Sequence, residues 1–246
     1  MPRSVLFVAR ADLEARRVIS RFLLILFLVF IGATAQAFGP PPTYFSWIST
    51  GADMYEADVA GYHGTLVFTK PGNDTLTPKQ LTATAPSYVA QYGATIHTAG
   101  MSNGVSGSAA NCLAEFTFNP PLPVGSRLIA LDLDISLYDE RFEFTHSGGV
   151  FNFLNQLESH AGEASVFPTW SAATGVLQSQ DPRNDNEYEA TVFDISGINA
   201  LSARLLRNGP GGGISNAHVA IAIPVPEPAS MILAIALIAL IKRGVG

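Results

Sequence analysis

The spacing of apolar side chains divides the chain into a long middle with a two-residue period and two short ends with none. Residues 128–138 put Ile129, Leu131, Leu133, Ile135 and Leu137 on one side and Asp132, Asp134 and Ser136 on the other. Side chains alternate this way only along a β-strand. The same pattern places Ala114, Phe116 and Phe118 against Glu115, Thr117 and Asn119, Leu66 and Phe68 against Thr65, Val67 and Thr69, and Phe142 and Phe144 against Arg141 and Glu143. Further strands are predicted over residues 88–97, 150–153, 189–194, 201–206 and 217–223. Residues 153–160 could instead make two helical turns, and residues 199–207 fit either period. Breakers at PGND (71–74), NPPLP (119–123), SGG (147–149) and NGPGGG (208–213) separate the runs. About ten short strands joined by Gly/Pro turns predict an all-β fold, an antiparallel β-sandwich of jelly-roll-like type.

The two ends are apolar without alternation. Arg3, Arg10, Arg16, Arg17 and Arg21 precede FLLILFLVFI at 22–31, and Ala35-Gln36-Ala37 follows. A basic segment, an apolar segment and small residues at a cleavage site make a signal peptide, residues 1–37. Its uninterrupted run of 10 residues falls short of the roughly 20 that cross a bilayer. At the other end, Met231 to Ile241 are all apolar and Lys242-Arg243 follow, so a short hydrophobic helix is expected with a basic membrane stop on the cytoplasmic side. Pro226 and Pro228 fix φ and disfavour helix at the residues before them, which keeps the segment ahead of that helix extended and open to a protease. Glu227 supplies its single charge.

Pro226-Glu227-Pro228, a short hydrophobic helix and a basic end together resemble the PEP-CTERM sorting signal of Gram-negative bacteria. The resemblance covers residues 225–243 plus the N-terminal signal. It implies an exosortase-type processing enzyme as partner, transient anchoring in the inner membrane through the C-terminal helix, removal of the tail, and a setting in extracellular polysaccharide or biofilm. Nothing in it concerns residues 38–223.

Composition sharpens the division. The chain is 48% hydrophobic and only 14% charged, against roughly a quarter charged in ordinary soluble domains. The signal and the sorting tail (224–246) hold much of the apolar excess. The domain between them, residues 38–223, carries seven basic and 17 acidic residues, a net charge of −10. That balance excludes a nucleic-acid surface and suits an exported protein that meets cations or neutral glycans. One cysteine, Cys112, makes neither an internal disulfide nor a multi-thiolate metal site, and reads as a small buried apolar residue.

The chemistry on offer is thin. Asp132, Asp134, Asp139, Glu140 and Glu143 are the acids a carbohydrate-active hydrolase would draw on, since glycoside hydrolysis needs a proton donor and a second carboxylate at set separation. The solvated polar side of an amphipathic strand is the ordinary explanation of Asp132 and Asp134. No G-x-S-x-G elbow frames a serine, and His63, His97, His146, His160 and His218 form no paired zinc motif. Asp181, Asn184, Asp185, Asn186 and Glu187 gather five oxygen-bearing side chains in one short loop, a Ca²⁺ candidate that also reads as a plain turn. Tyr44, Phe45, Trp47 and Trp170 either form a sugar-stacking platform or pack in the core, and the core reading leads. The expectation is an exported envelope or matrix protein, without cofactor and not an enzyme, whose sandwich binds or scaffolds, with polysaccharide as the candidate ligand. The alternatives are a secreted carbohydrate-active hydrolase and a permanently tail-anchored surface protein.

Overall fold

A computed structural model describes residues 41–70, 74–102, 111–133, 139–161, 166–180, 189–208 and 216–225. In chain order the elements are β1 (Thr43–Tyr44), β2 (Ile48–Gly51), β3 (Met54–Val59), β4 (Tyr62–Thr69), β5 (Thr75–Thr82), α1 (Pro86–Tyr92), β6 (Thr95–Ser102), β7 (Asn111–Asn119), β8 (Arg127–Leu131), β9 (Asp139–Gly148), β10 (Asn152–Glu158), β11 (Thr169–Ser171), β12 (Val176–Gln178), β13 (Glu189–Asp194), β14 (Ile198–Asn208) and β15 (Asn216–Ile223). All the described strand pairings are antiparallel. One sheet runs β10-β13-β8-β15-β6-β5, with β1 added beside β15; the other runs β11-β12-β9-β14-β7-β4-β3-β2.

The two sheets bury one core between them. Phe116, Phe118, Phe142, Leu201 and Leu205 from the second sheet meet Met101, Leu128, Phe193, Val219 and Ile221 from the first. In β7 the buried residues Cys112, Ala114, Phe116 and Phe118 alternate with Leu113, Glu115 and Thr117, as the period of two requires. The outer side of the second sheet is polar. Thr65 bonds Thr117 across β4 and β7, and Thr145 bonds Ser202 at 2.6 Å across β9 and β14.

The first sheet differs because both of its faces are covered. Behind it Leu81, Ala83, Ala85, Tyr88 and Tyr92 pack onto Ile129, Leu131, Ala190, Val192, Ala220 and Ala222. Pro86 opens α1 and Gly93, with φ +83°, closes it, while Tyr88 and Tyr92, four residues apart, present one aromatic face to the sheet. Small alanines on β13 and β15 let that face come close. Residues 86–92 are therefore helix, and the strand expected over 88–97 begins only at Thr95. The two-sided burial also ends the amphipathic strand expected over 128–138: β8 stops at Leu131, with Leu128 and Ala130 facing one layer and Ile129 and Leu131 the other. Residues 152–158 are strand rather than two helical turns because β13 pairs along their length. β14 is strand because β7 and β9 flank it on both sides. The signal segment and the C-terminal apolar run lie outside the described residues.

Register also defines two poles. Thr43 pairs with Ile223, and Ala222 with Arg127, so the chain enters and leaves side by side at one end. Thr75 pairs with Ser102, Ser102 with Asn216, and Asn208 with Asp139, which fixes the opposite end.

Candidate functional site

Buried charge concentrates at the pole opposite the chain's exit. Asp74, Asp132, Glu140, Glu189 and His218 are all buried there, although carboxylates are rarely buried without partners. Glu140 follows the inward alternation of Phe142 and Phe144 on β9, and Glu189 that of Thr191 and Phe193 on β13. Phe144 and Phe193 meet across the sandwich with ring centroids 5.7 Å apart. Four residues nearer the pole, Glu140 and Glu189 therefore bring one carboxylate from each sheet into the same end of the interior.

His218 stands on the other side of the first sheet. Its strand reads Ala-His-Val-Ala-Ile-Ala-Ile after Asn216, so the imidazole is the one polar group in an apolar run. Nδ1 lies 3.2 Å from Thr98 Oγ1, and Nε2 lies 3.9 Å from Asp132 Oδ2. His218 is 2% exposed and Asp132 is 5% exposed, so any charge on the pair is held away from water and depends on its partners. Gly100, opposite His218, leaves room for the ring: a Cβ there would meet it at 2.9 Å. Asp132 has φ +60°, a left-handed conformation that Asp tolerates better than most residues.

These positions redistribute the acids singled out from the sequence. Asp132 is buried beside a histidine and does not belong to a solvated strand face. Glu140 points inward, whereas Glu143 lies on the outer side of β9, 3.5 Å from Arg141 Nε. Glu140 and Glu143 therefore do not converge. Asp139 opens β9 at the same pole, and Asp134 lies outside the described residues. So do the Ca²⁺ candidates Asp181, Asn184, Asp185, Asn186 and Glu187, the motif Pro226, Glu227 and Pro228, and Lys242 and Arg243. Among the described residues no group of three or more His, Cys, Asp or Glu side chains is placed to hold a metal ion. Among them, too, no helix is long and apolar enough to cross a membrane.

No known protein family, curated protein or solved structure matches the chain. Its site is therefore read from its own residues. The aromatic platform is core. Tyr44, Phe45 and Trp47 are buried, with Phe45 and Trp47 stacked at 5.5 Å and 17°. Trp170 closes the open edge of the sandwich against Phe193 at 4.8 Å and Phe151 at 5.7 Å. Cys112 is fully buried, and burial pushes its thiol up to about 12. Glu189, Thr98 and His218 as site residues were missed. The lone polar residue in an apolar strand marks His218, whereas nothing in the local sequence distinguishes Glu189 from a solvated acid.

The exit pole is built differently. Gly197 N–H donates to the Leu122 carbonyl at 2.8 Å, Leu122 N–H to the Ile198 carbonyl at 2.9 Å, and Val150 N–H to the Ser196 carbonyl at 2.9 Å. Gly125 N–H donates to Ser196 Oγ at 2.8 Å. One turn at 195–198 thus ties together the loops at 119–125 and 148–150, with Arg127 and Asp194 paired beside them at 3.2 Å.

Proposed function

We propose that the chain is an exported cell-envelope or matrix protein, sorted through its tail and processed at Pro226-Glu227-Pro228, whose jelly-roll-like sandwich binds or scaffolds polysaccharide. The observation that carries this reading is the pairing of Thr43 with Ile223. Both ends that would be removed leave the domain beside each other, ahead of the first strand and past the last. Cleavage after Ala37 and near Pro228 therefore takes none of the described strands from either sheet. Sheet neighbours far apart in sequence, such as β8 with β15 and β7 with β14, support the jelly-roll-like assignment.

A binding role is supported by the polar outer side of the second sheet, where Thr65, Thr117, Thr145 and Ser202 present hydroxyls in cross-strand pairs. Neutral glycans offer matching donors and acceptors, and stacking on Tyr44, Phe45 or Trp47 is excluded by their burial. The hydrolase reading has one observation on its side, the buried carboxylates of Glu140 and Glu189 at one end of the interior. Incubation with host exopolysaccharide separates the two. A scaffold is retained on the polymer and releases no new reducing ends, whereas release that Glu140→Gln or Glu189→Gln abolishes makes the protein a hydrolase. Pro226→Ala with Pro228→Ala is expected to leave the chain in the membrane fraction.

A further inference from the structure

The exit pole carries a feature that processing alone does not require. Val124 is 88% exposed in the loop at 119–125, and Val150 (41%), Phe153 (42%) and Leu154 (42%) are exposed toward the same pole. Their two segments are tied to one stretch, residues 194–196. Val150 hangs on Ser196, Gly125 on the Ser196 hydroxyl, and Asn152 pairs with Asp194. Pro224, where the chain departs, lies against Gly125, close enough that a Cβ there would meet its ring at 3.4 Å.

Chain length then limits where this surface can go. From Val225 to Met231, the first residue of the apolar run, there are six steps, and an extended chain covers at most about 3.6 Å per step, or about 20 Å. Residues 225–231 cannot carry the domain farther from the hydrocarbon than that. Charge adds a second constraint. Of the described acidic residues only Asp58 and Asp194 lie toward the exit pole, and Asp194 is paired with Arg127. The opposite pole gathers Asp53, Asp74, Asp132, Asp139, Glu140, Glu158 and Glu189. Among the described residues the less acidic end is therefore the one from which the tail leaves, as apposition to an anionic lipid surface requires.

We infer that Val124, Val150, Phe153 and Leu154 form a lipid-facing patch that seats this pole in the interfacial layer of the membrane for as long as the tail stays attached. The inference rests on the tail-anchored reading above. Membrane seating of apolar loop tips follows from burial of apolar area at the headgroup boundary, and tail removal would release it.

The test uses the full chain reconstituted in vesicles of phosphatidylethanolamine and phosphatidylglycerol that contain nitroxide-labelled lipid. Val124→Cys, Val150→Cys and, at the opposite pole, Thr75→Cys each receive an environment-sensitive fluorophore. Cys112, fully buried with its thiol pushed up to about 12, stays unlabelled at neutral pH. The expected result is quenching several-fold stronger at 124 and 150 than at 75. Equal or absent quenching at 124 and 150 in chain that floats with the vesicles overturns the patch and leaves the anchored reading standing. Failure to float overturns the anchored reading and the patch with it. Protection of the label at 124 in detergent, accompanied by a doubled mass, assigns the surface to a second copy and overturns the lipid assignment.

Discussion

The two poles of the sandwich solve opposite problems. At the exit pole backbone packs on backbone: the turn at 195–198 holds the loops at 119–125 and 148–150 through main-chain hydrogen bonds, leaving apolar tips outside and few charges. At the far pole side chains do the packing, and carboxylates and an imidazole are drawn inside. A weakly charged end suits the place where, on the proposed reading, the chain would be held and cut. The end that buries charge is where a ligand or a reaction would find chemistry.

Substitutions can break that contrast. The largest effect is expected from Gly149→Ala at the exit pole. Gly149 has φ +53°, and a Cβ there would lie 2.2 Å from the Ser196 carbonyl oxygen, so backbone must move and the loss exceeds about 4 kcal/mol in urea denaturation. Wild-type-like stability would mean that the turns are not interlocked. Trp170→Ala removes the ring that closes the sandwich edge, at a cost of about 3 kcal/mol. Its glycan retention, corrected for folded fraction, stays unchanged if the ring is core, while selective loss of retention would restore the stacking platform.

At the far pole Gly100→Ala drives a methyl into the His218 ring and toward the Thr77 carbonyl, costing about 1–3 kcal/mol. An unaltered melting curve would show that the His218 environment is loose. Alkali should weaken the fold through other groups. Burial raises Tyr44 and Tyr88 well above the usual 10.0 and Cys112 from 9.0 to about 12. Below about pH 8 these groups are protonated in both states and contribute no slope. Above it the unfolded chain releases protons that the folded one retains, so stability falls as pH rises. Denaturation midpoints that stay flat to pH 11 would place these hydroxyls in water. The smallest effect on stability belongs to Val124→Asp, within about 0.5 kcal/mol because the side chain is exposed; a larger change would mean that the tip is part of the core.

How much of this was legible in the sequence depended on how many faces each strand buries. β4, β7 and β9 cover one side only, and their alternation of Leu66 and Phe68, Ala114 and Phe116, Phe142 and Phe144 with polar residues announced them. β8 is buried on both sides, so Leu128 to Leu131 lost the polar marks that would have shown where it ends. The covering helix was hidden by the same physics. Tyr88 and Tyr92 are aromatic and fit a strand by propensity, and only Pro86, Gly93 and the four-residue spacing signalled otherwise. Composition found the acids but not their partners. Asp132 belongs with His218, 86 positions later, and that pairing exists only once β8 and β15 lie side by side.

On the proposed reading both ends are removed and every described strand is kept. Intact-mass measurement of the protein recovered from its native host tests it most directly. One species is expected, starting at Phe38, ending near Pro228 and lacking Met231 to Gly246. A species retaining Met231 to Gly246 would contradict it.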